Sequence, residues 1–531
     1  MKSCKRVIEV FGTRFLLFLI VSQTVCKGIL STILEAMSLP LFKSVAHVSA
    51  ADAQIYAMVA MIPWSIKPLI GLCSDIIPLY GYNKRGWLLV SAVVGGSASL
   101  ALLLYGILSP TLVGSILVVC YVGINFEIAL YDLLSEGKYA ELRKRNPDIG
   151  SLASTITQGM QVCGTIIALF FVGPLSDARA FVALFAIACG LCLLPIVPTL
   201  LGWLPEERIV NRPCVHVDTV KLRRDGRMIA VVAFCGLSGI ITSLVTTLTV
   251  PIAGLVTSLV LLVCCLVGCR FTFSKEMSAV ANYQVISTLS QPLMGTALDY
   301  FYTATPACLA EGPHFSYTYY VMTARIIGAV ISFVGVWFYG LALSRMTFRR
   351  VLLLTTILIS LAGLSDLFIV TRTNIRLGIP DKAAYLVGEA VLEPFLGMLN
   401  YIPISALISI AVTDGMEASC YAMIAGIANF ARMVSELDGS VIFTAAGIVA
   451  SETGPCDFTA LPWLVLSCHI LAPLCIGIPA VFLLPDIKQD QNFSEPTMEE
   501  GVGSIPMDFE SDVEEEPSTV SLLQRLTRWR R

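Results

Sequence analysis

Charge is scarce in this sequence: Asp, Glu, Lys and Arg together make up 14% of the 531 residues, and the chain holds four histidines. A water-soluble domain of this length needs far more polar side chains to cover its surface, so that class is excluded. The histidines, His47, His216, His314 and His469, are scattered, and Cys264, Cys265 and Cys269 have none beside them. No metal site is legible, and no cofactor is expected. A GxxxxGK[ST] phosphate loop is absent, which argues against direct drive by a nucleotide. The clustered His, Asp-rich or Ser/His groups of a membrane enzyme are also missing, so no enzymatic activity is expected. No nucleic-acid partner is expected either. No A-x-A cleavage site follows the first apolar segment, which therefore reads as an uncleaved span.

What is present is apolar: 56% of the residues are hydrophobic. A helix crosses the hydrocarbon in about 20 residues at 1.5 Å each, and about 14 stretches are long enough. They fall near 14–35, 53–74, 86–108, 110–134, 150–173, 180–203, 228–249, 251–268, 278–302, 319–343, 350–370, 384–412, 418–450 and 462–484. The chain is thus expected to be an all-α polytopic membrane protein. Its parts read as an amino-terminal segment 1–13, six spans over 14–203, a basic loop 204–227, two inserted spans over 228–268, six spans over 278–484 and a tail 485–531. Six plus six is the arrangement of a two-bundle transporter with a central cavity that opens alternately to each side.

Orientation follows from lysine and arginine. With a cytoplasmic amino terminus, the inner segments hold Lys84, Arg85, Lys138, the run Arg143 to Arg145, the 204–227 loop, Arg345, Arg349 and Arg350. The outer ones hold Lys43, Arg179, Arg372, Arg376 and Lys382. An even number of spans returns the carboxyl terminus to the cytoplasm. The tail is acid-rich and expected to be disordered. Its last residues, TVSLLQRLTRWRR, are basic and amphipathic, and they either rest on the anionic inner leaflet or fray. Most of the 17 cysteines lie in apolar runs as small apolar side chains. Cys308 and Cys456 fall in outer loops, where an oxidising environment would pair them; cysteine count alone leaves that pairing open.

Ionised groups inside apolar runs are the candidate functional residues, since a charge at the bilayer centre costs about 2.5–3.5 kcal/mol. Lys67 lies between Pro63 and Pro68, which favour a bent helix, and about 12 Å along the helix from Asp75 on the same face. It is either a snorkelling anchor or a gate-pairing, anion-contacting lysine. Lys27, Glu127, Arg325, Arg432 and Glu436 share this logic. Arg432 and Glu436 are i, i+4 neighbours, with Asn429 extending the stripe: an intrahelical ion pair or a substrate or proton role. Ser154, Gln158, Gln161 and Thr165 form a polar ridge on the fifth span, fit either for a heterocycle or for helix packing. Glu389 and Glu393, near the outer end of their span, read as solvated. The substrate-binding set is therefore Lys27, Glu127, Gln158, Gln161, Arg325, Asn429 and Arg432. The gating or proton-coupling set is Lys67, Asp75, Arg85, Glu127 and Glu436.

The string GLCSDIIPLYGYNKR between spans two and three resembles the loop motif of the major facilitator superfamily, with Gly71, Asp75, Lys84 and Arg85 in matching order. The longer PWSIKPLIGLCSDIIPLYGYNKRGW resembles the folate-biopterin transporter family. YDLLSEGKYAELRKRNP is close to the form in kinetoplastid pteridine transporter members, and IPISALISIAVTDGMEASCYAMIAGIANFARMVSELDG also fits. Where the family pattern often has paired aspartates in the fourth span, this chain has Glu127 and Asp132. The resemblance implies a major facilitator fold and a secondary active transporter for pterins such as folate or biopterin in the plasma membrane. Its carboxylate tail would meet Lys27, Arg325 or Arg432, and a buried carboxylate such as Glu127 would carry a proton. Alternatives left open are S-adenosylmethionine or a nucleoside-like metabolite as substrate, and a non-transporting receptor.

Overall fold

The computed structural model describes residues 8–109, 111–145, 150–209, 217, 219–224, 226–411, 417–450 and 455–489. The acid-rich tail and its basic end lie outside the described residues. The chain is helical throughout, with no strand among the described residues. The first six long helices are α1 (Thr13–Ser44), α2 (Ala50–Ile76), α3 (Arg85–Leu108), α4 (Gly114–Arg145), α5 (Gly150–Asp177) and α6 (Phe181–Leu200). Next come α7 (Gly226–Leu248) and α8 (Pro251–Thr272). The chain continues with α9, α10 (Thr318–Leu343), α11 (Phe348–Val370), α12 (Asp381–Ile408), α13 (Glu417–Ala445) and α14 (Leu461–Val481).

Among the described residues, twelve helices are long and apolar enough to cross a membrane. Of the other two stretches, the span expected at 278–302 is broken, while that expected at 418–450 is one continuous helix. Helix α9 is split into Lys275–Leu289 and Gly295–Tyr302, and α13 carries Arg432, Glu436 and Asp438 within its apolar run. Pro292 lies in the α9 break. The freed backbone there is satisfied by neighbours: Gln54 donates to the Leu293 carbonyl at 2.8 Å, and the Leu293 N–H donates to the Ser435 carbonyl at 3.2 Å. Such a break is tolerated at membrane depth because protein, not lipid, faces it.

Helix α2 also departs from straightness. It runs as Ala50–Ala60, Ile62–Ser65 and Lys67–Ile76, with Pro63 and Pro68 each at the start of a new piece. A proline lacks the N–H that would bond back one turn, so the helix re-aims there. Several helices contain wider, π-type turns: Ile20–Leu30 in α1, Thr318–Thr323 in α10, Leu386–Leu392 in α12 and Val465–Leu471 in α14. Turns of that kind recur at functional sites because they displace a side chain from the regular helical face.

Packing rests on small residues, as expected where lipid is as apolar as leucine and only close approach gains contact. Helices α1 and α5 cross at Gly28 and Gly164: a Cβ at Gly164 would lie 2.3 Å from the Thr24 carbonyl oxygen, and one at Gly28 2.7 Å from that of Gln161. The α7–α8 hairpin packs on α2 and α13, joining helices from both parts of the chain.

Helix alternation gathers loop 45–49, loop 303–317 and residues 446–450 and 455–460 at one end. There Cys308 and Cys456 form a disulfide, with Cα atoms 4.8 Å apart, which answers the pairing left open above. The opposite, basic end includes loop 77–84. Glu206 holds that loop by accepting the N–H groups of Asn83, Lys84 and Arg85 at 2.7, 2.9 and 3.0 Å. This places a carboxylate at the amino terminus of α3, where the helix dipole favours negative charge.

The α1–α5 crossing makes a testable contrast. Gly164→Ala must push backbone aside and is expected to cost about 1–3 kcal/mol, whereas nothing lies within 4 Å of a Cβ at Gly159 on the same helix. Gly159→Ala should leave stability unchanged or slightly raised. Melting temperatures of the detergent-purified variants check the difference.

Candidate functional site

The first cluster lies among α1, α2 and α4. Lys27 pairs with Asp132 at 2.7 Å and with Glu136 at 3.2 Å, and Lys67 meets the other oxygen of Asp132 at 2.5 Å. The Lys67 ammonium also sits 4.1 Å from the centre of the Trp64 ring. Asp132 is 1% exposed, so one buried carboxylate neutralises two ammonium groups, of which that of Lys27 reaches a cavity, and Glu136 balances the charge. The partner of Lys67 is thus on α4. Gln23 adds an α1–α4 hydrogen bond to Ser135 at 3.0 Å.

Beside this cluster opens a cavity of about 310 Å³ whose lining includes Lys27, Glu35, Gln161, Thr165 and Arg325. A second, of about 360 Å³, is lined on α9, α10 and α12 by Asp299, Tyr320, Arg325, Tyr385, Glu389 and Glu393. Arg325 belongs to both. It bonds Glu35 of α1 at 3.1 Å, with side chains 38% and 70% exposed respectively, so this pair is open to exchange. An ion pair so exposed is worth about 1 kcal/mol or less. Glu389 and Glu393 both line the second cavity, with Glu393 exposed.

Behind the second cavity, Tyr302 donates to Asp366 at 2.6 Å, and the His469 Nδ1 lies 3.4 Å from the other Asp366 oxygen. Tyr320 donates to Asp299. Tyr385 touches the rings of both Tyr302 and Tyr320, at centroid distances of 4.9 and 5.4 Å. Lys27, Tyr320, Glu389 and His469 all lie on the wider turns described above.

The remaining candidates from the sequence are placed as follows. Glu127 is fully buried between α3 and α6, away from both cavities; the Cys192 thiol lies beside its carboxylate, and a Cβ at Gly95 would come 2.0 Å from one of its oxygens. Gln158 is exposed and lines neither cavity, and the side chain of Ser154 lies outside the described residues. Asn429 donates to the Trp64 carbonyl at 3.0 Å, tying α13 to α2. Glu436 accepts from Gln54 of α2, and Arg432 is exposed; no Arg432–Glu436 ion pair occurs among the described residues. Asp75 is half-buried near the end of α2, and Arg85 reaches the Leu200 carbonyl and stacks on Tyr82. Asp132, Glu136, Glu35, Asp366 and His469 were not singled out as site residues.

Across the disulfide end, helices of the two parts of the chain interlock. Lys43, 1% exposed, donates to the Thr303 carbonyl and hydroxyl, each at 2.8 Å, and lies 4.9 Å from the Tyr300 ring centre. The Tyr300 hydroxyl donates to the Val48 carbonyl at 2.8 Å, and the Ala50 N–H to the Ala450 carbonyl at 3.2 Å. Asp177 caps the start of α10, accepting the N–H groups of Tyr317 and Thr318, each at 2.8 Å.

A multi-pass helical body with polar hollows between its helices is the architecture of the major facilitator transporters, and solved structures agree on the fold. An auto-inhibited POT family peptide transporter aligns with 90% of this chain and 98% of its own at TM-score 0.59 and 14% identity. A D-xylose–proton symporter aligns with 92% and 99% at TM-score 0.52 and 12% identity. Residues 27–500 match the BT1 family model, and the chain belongs to that family. The protein named probable folate-biopterin transporter 6 of Arabidopsis thaliana is 24% identical over 476 residues, 89% of this chain and 83% of its own length. The folate-biopterin transporter of Synechocystis sp. is 24% identical over 436 residues, covering 80% and 72%. Family and neighbours are transporters, not enzymes.

The shared aspartate predicts an order of effects. Asp132→Asn leaves two buried ammonium groups short of a counter-charge and should cost about 3–5 kcal/mol. Lys67→Met leaves the Lys27–Asp132 pair in place and should cost less. Melting temperature and detergent-extracted yield of the two variants check the order; equal loss would contradict the shared-carboxylate geometry.

Proposed function

We propose that this chain is a secondary carrier of pterins, folate or biopterin, working by alternating access and coupled to protons. The observation that carries the reading is Arg325, shared by two adjoining cavities and held by an exposed Glu35 from a different helix. A substrate carboxylate can replace Glu35 on that guanidinium, exchanging a single exposed contact for a pair that can be bidentate. The names of the relatives in the family support pterins as the cargo.

The same proposal divides the chain at 14–203 and 278–484 into two six-helix bundles with α7 and α8 inserted between them. Interlocked at the disulfide end, the helices fit a state closed on that side. Opening it would break the Lys43, Tyr300 and Ala50 hydrogen bonds and re-form them on return. Both termini are cytoplasmic and the membrane is the plasma membrane in this reading. The charge bias supports that orientation, and so does the disulfide, which belongs in an oxidising compartment. The coupling proton is assigned to Glu389, which adjoins Asp366 and Glu393, since Glu127 is walled off from the cavities. A second reading, a cationic metabolite such as S-adenosylmethionine, is favoured by the three carboxylates of the larger cavity, Asp299, Glu389 and Glu393.

Purified protein in liposomes separates these readings. Labelled folate and biopterin should accumulate when the outside is acidified, and a protonophore should abolish accumulation. Arg325→Gln should lower folate uptake about tenfold or more while sparing biopterin, which has no carboxylate tail. Accumulation of S-adenosylmethionine alone would favour the second reading, and binding without accumulation a receptor.

A further inference from the structure

The two cavities differ in chemistry. The smaller offers an ammonium, an amide and a hydroxyl, from Lys27, Gln161 and Thr165. The larger offers aromatic rings and carboxylates, with Ala324, Gly328 and Ala329 as a low wall. Arg325 stands between. A ligand that fills both must be flat and hydrogen-bond-donating at one end and anionic at the other.

The donors and acceptors of the larger cavity can be accounted for one by one. Asp299 already accepts the Tyr320 hydroxyl. Behind the wall, Asp366 accepts Tyr302 at 2.6 Å and faces His469 at 3.4 Å. Glu389 and Glu393 line the cavity and share a side-chain hydrogen bond with each other. Of the two, Glu393 is the more exposed to the hollow. A carboxylate has about four lone-pair sites, so beyond its bond with Glu389 the exposed Glu393 keeps acceptor capacity for donors from outside the chain. Beside it, Tyr320 and Tyr385 lie 5.4 Å apart with planes inclined by 37°, and their faces and edges suit offset contact with a further flat ring.

The geometry points to Glu393 as the carboxylate that reads the 2-amino-4-oxopyrimidine edge of a pteridine, with the bicycle against Tyr320 and Tyr385 and any carboxylate tail directed past Arg325 toward Lys27. That ring edge presents its N3–H and its exocyclic amino N–H side by side. A carboxylate accepts both in the forked manner it uses with arginine. The aminopyrimidine edge occurs also in guanine, whose ring system is shorter. The commitment here is to the pteridine, because two tyrosines line the same cavity as the carboxylate and Arg325 joins that cavity to the smaller one. This inference rests on the pterin reading given above and sharpens it into an orientation: ring toward α10 and α12, tail toward α1 and α5.

Displacement of labelled biopterin from the detergent-purified full-length protein tests it, using pterin, lumazine and guanosine as competitors. Lumazine is the pteridine in which an oxo group replaces the 2-amino group, so it loses one donor to Glu393. Pterin is expected to displace the label at about one tenth the concentration lumazine needs, or less. In Glu393→Gln that ratio should fall to about twofold or below, and Glu393→Asp should restore part of it. Melting temperatures confirm that each variant is folded; should Glu393→Gln fail to fold, the wild-type and Glu393→Asp ratios still decide. A wild-type protein that binds pterin and lumazine equally, or a Glu393→Gln protein that keeps the full preference, overturns the assignment. Guanosine displacing as well as pterin overturns the commitment to a pteridine. Absence of biopterin accumulation in liposomes with the pterin preference intact in detergent would sink the carrier reading and leave this subsite standing.

Discussion

An ammonium group inside a membrane protein has no water to fall back on, and the placement of two of them on one aspartate organises the first part of this molecule. Lys27 and Lys67 come from α1 and α2, yet both end at Asp132 of α4. Each pairing fixes a helix against α4, and because the carboxylate is common, α1 and α2 are fixed relative to each other as well. The wider turn of α1 around Lys27 and the proline breaks of α2 around Lys67 deliver the two ammonium groups to the same point. The cavity wall at Lys27 and Gln161 stands on this frame, since α5 follows α1 through the Gly28–Gly164 crossing.

The rest of the hollow is built by a different device. Around Asp299, Asp366, Tyr302, Tyr320 and Tyr385, phenolic hydroxyls and a histidine satisfy carboxylates where no lysine is at hand. Arg325 mediates between the two environments. Its guanidinium is delocalised and remains charged in surroundings of either sign, which lysine does not do as readily. That property suits a residue that must serve both an acidic chamber and a polar, cationic one.

Much of the architecture was legible before any coordinates, because the bilayer dictates run length and because backbone groups in lipid leave helices as the choice for a sequence without alternation. Lys27, Gln161 and Arg325 were legible as cavity residues for the same reason: each is a polar group in an apolar run. Spacing along one helix does not give the partners: Arg432 and Glu436 stand at i, i+4, yet Glu436 accepts from Gln54 of α2, and Lys67, on one face with Asp75, pairs with Asp132 of α4. Interhelical partners leave no periodic trace in one sequence, so Asp132, Glu136 and Glu35 could not be matched to their cations. Glu127 illustrates the converse: burial was rightly inferred, but burial toward Gly95 and the α3 interface is not burial toward a cavity.

The Cys308–Cys456 bond joins the loop after α9 to the loop before α14, so both of its anchors belong to the later helices. It reinforces a lid without stapling that lid to α1 and α2. Any tilting of those early helices at this end is resisted by Lys43 on its carbonyl perch and by a few other reversible contacts. Covalent strength is thus spent on keeping one rim rigid, while the seam beside it remains a zip that thermal motion can undo.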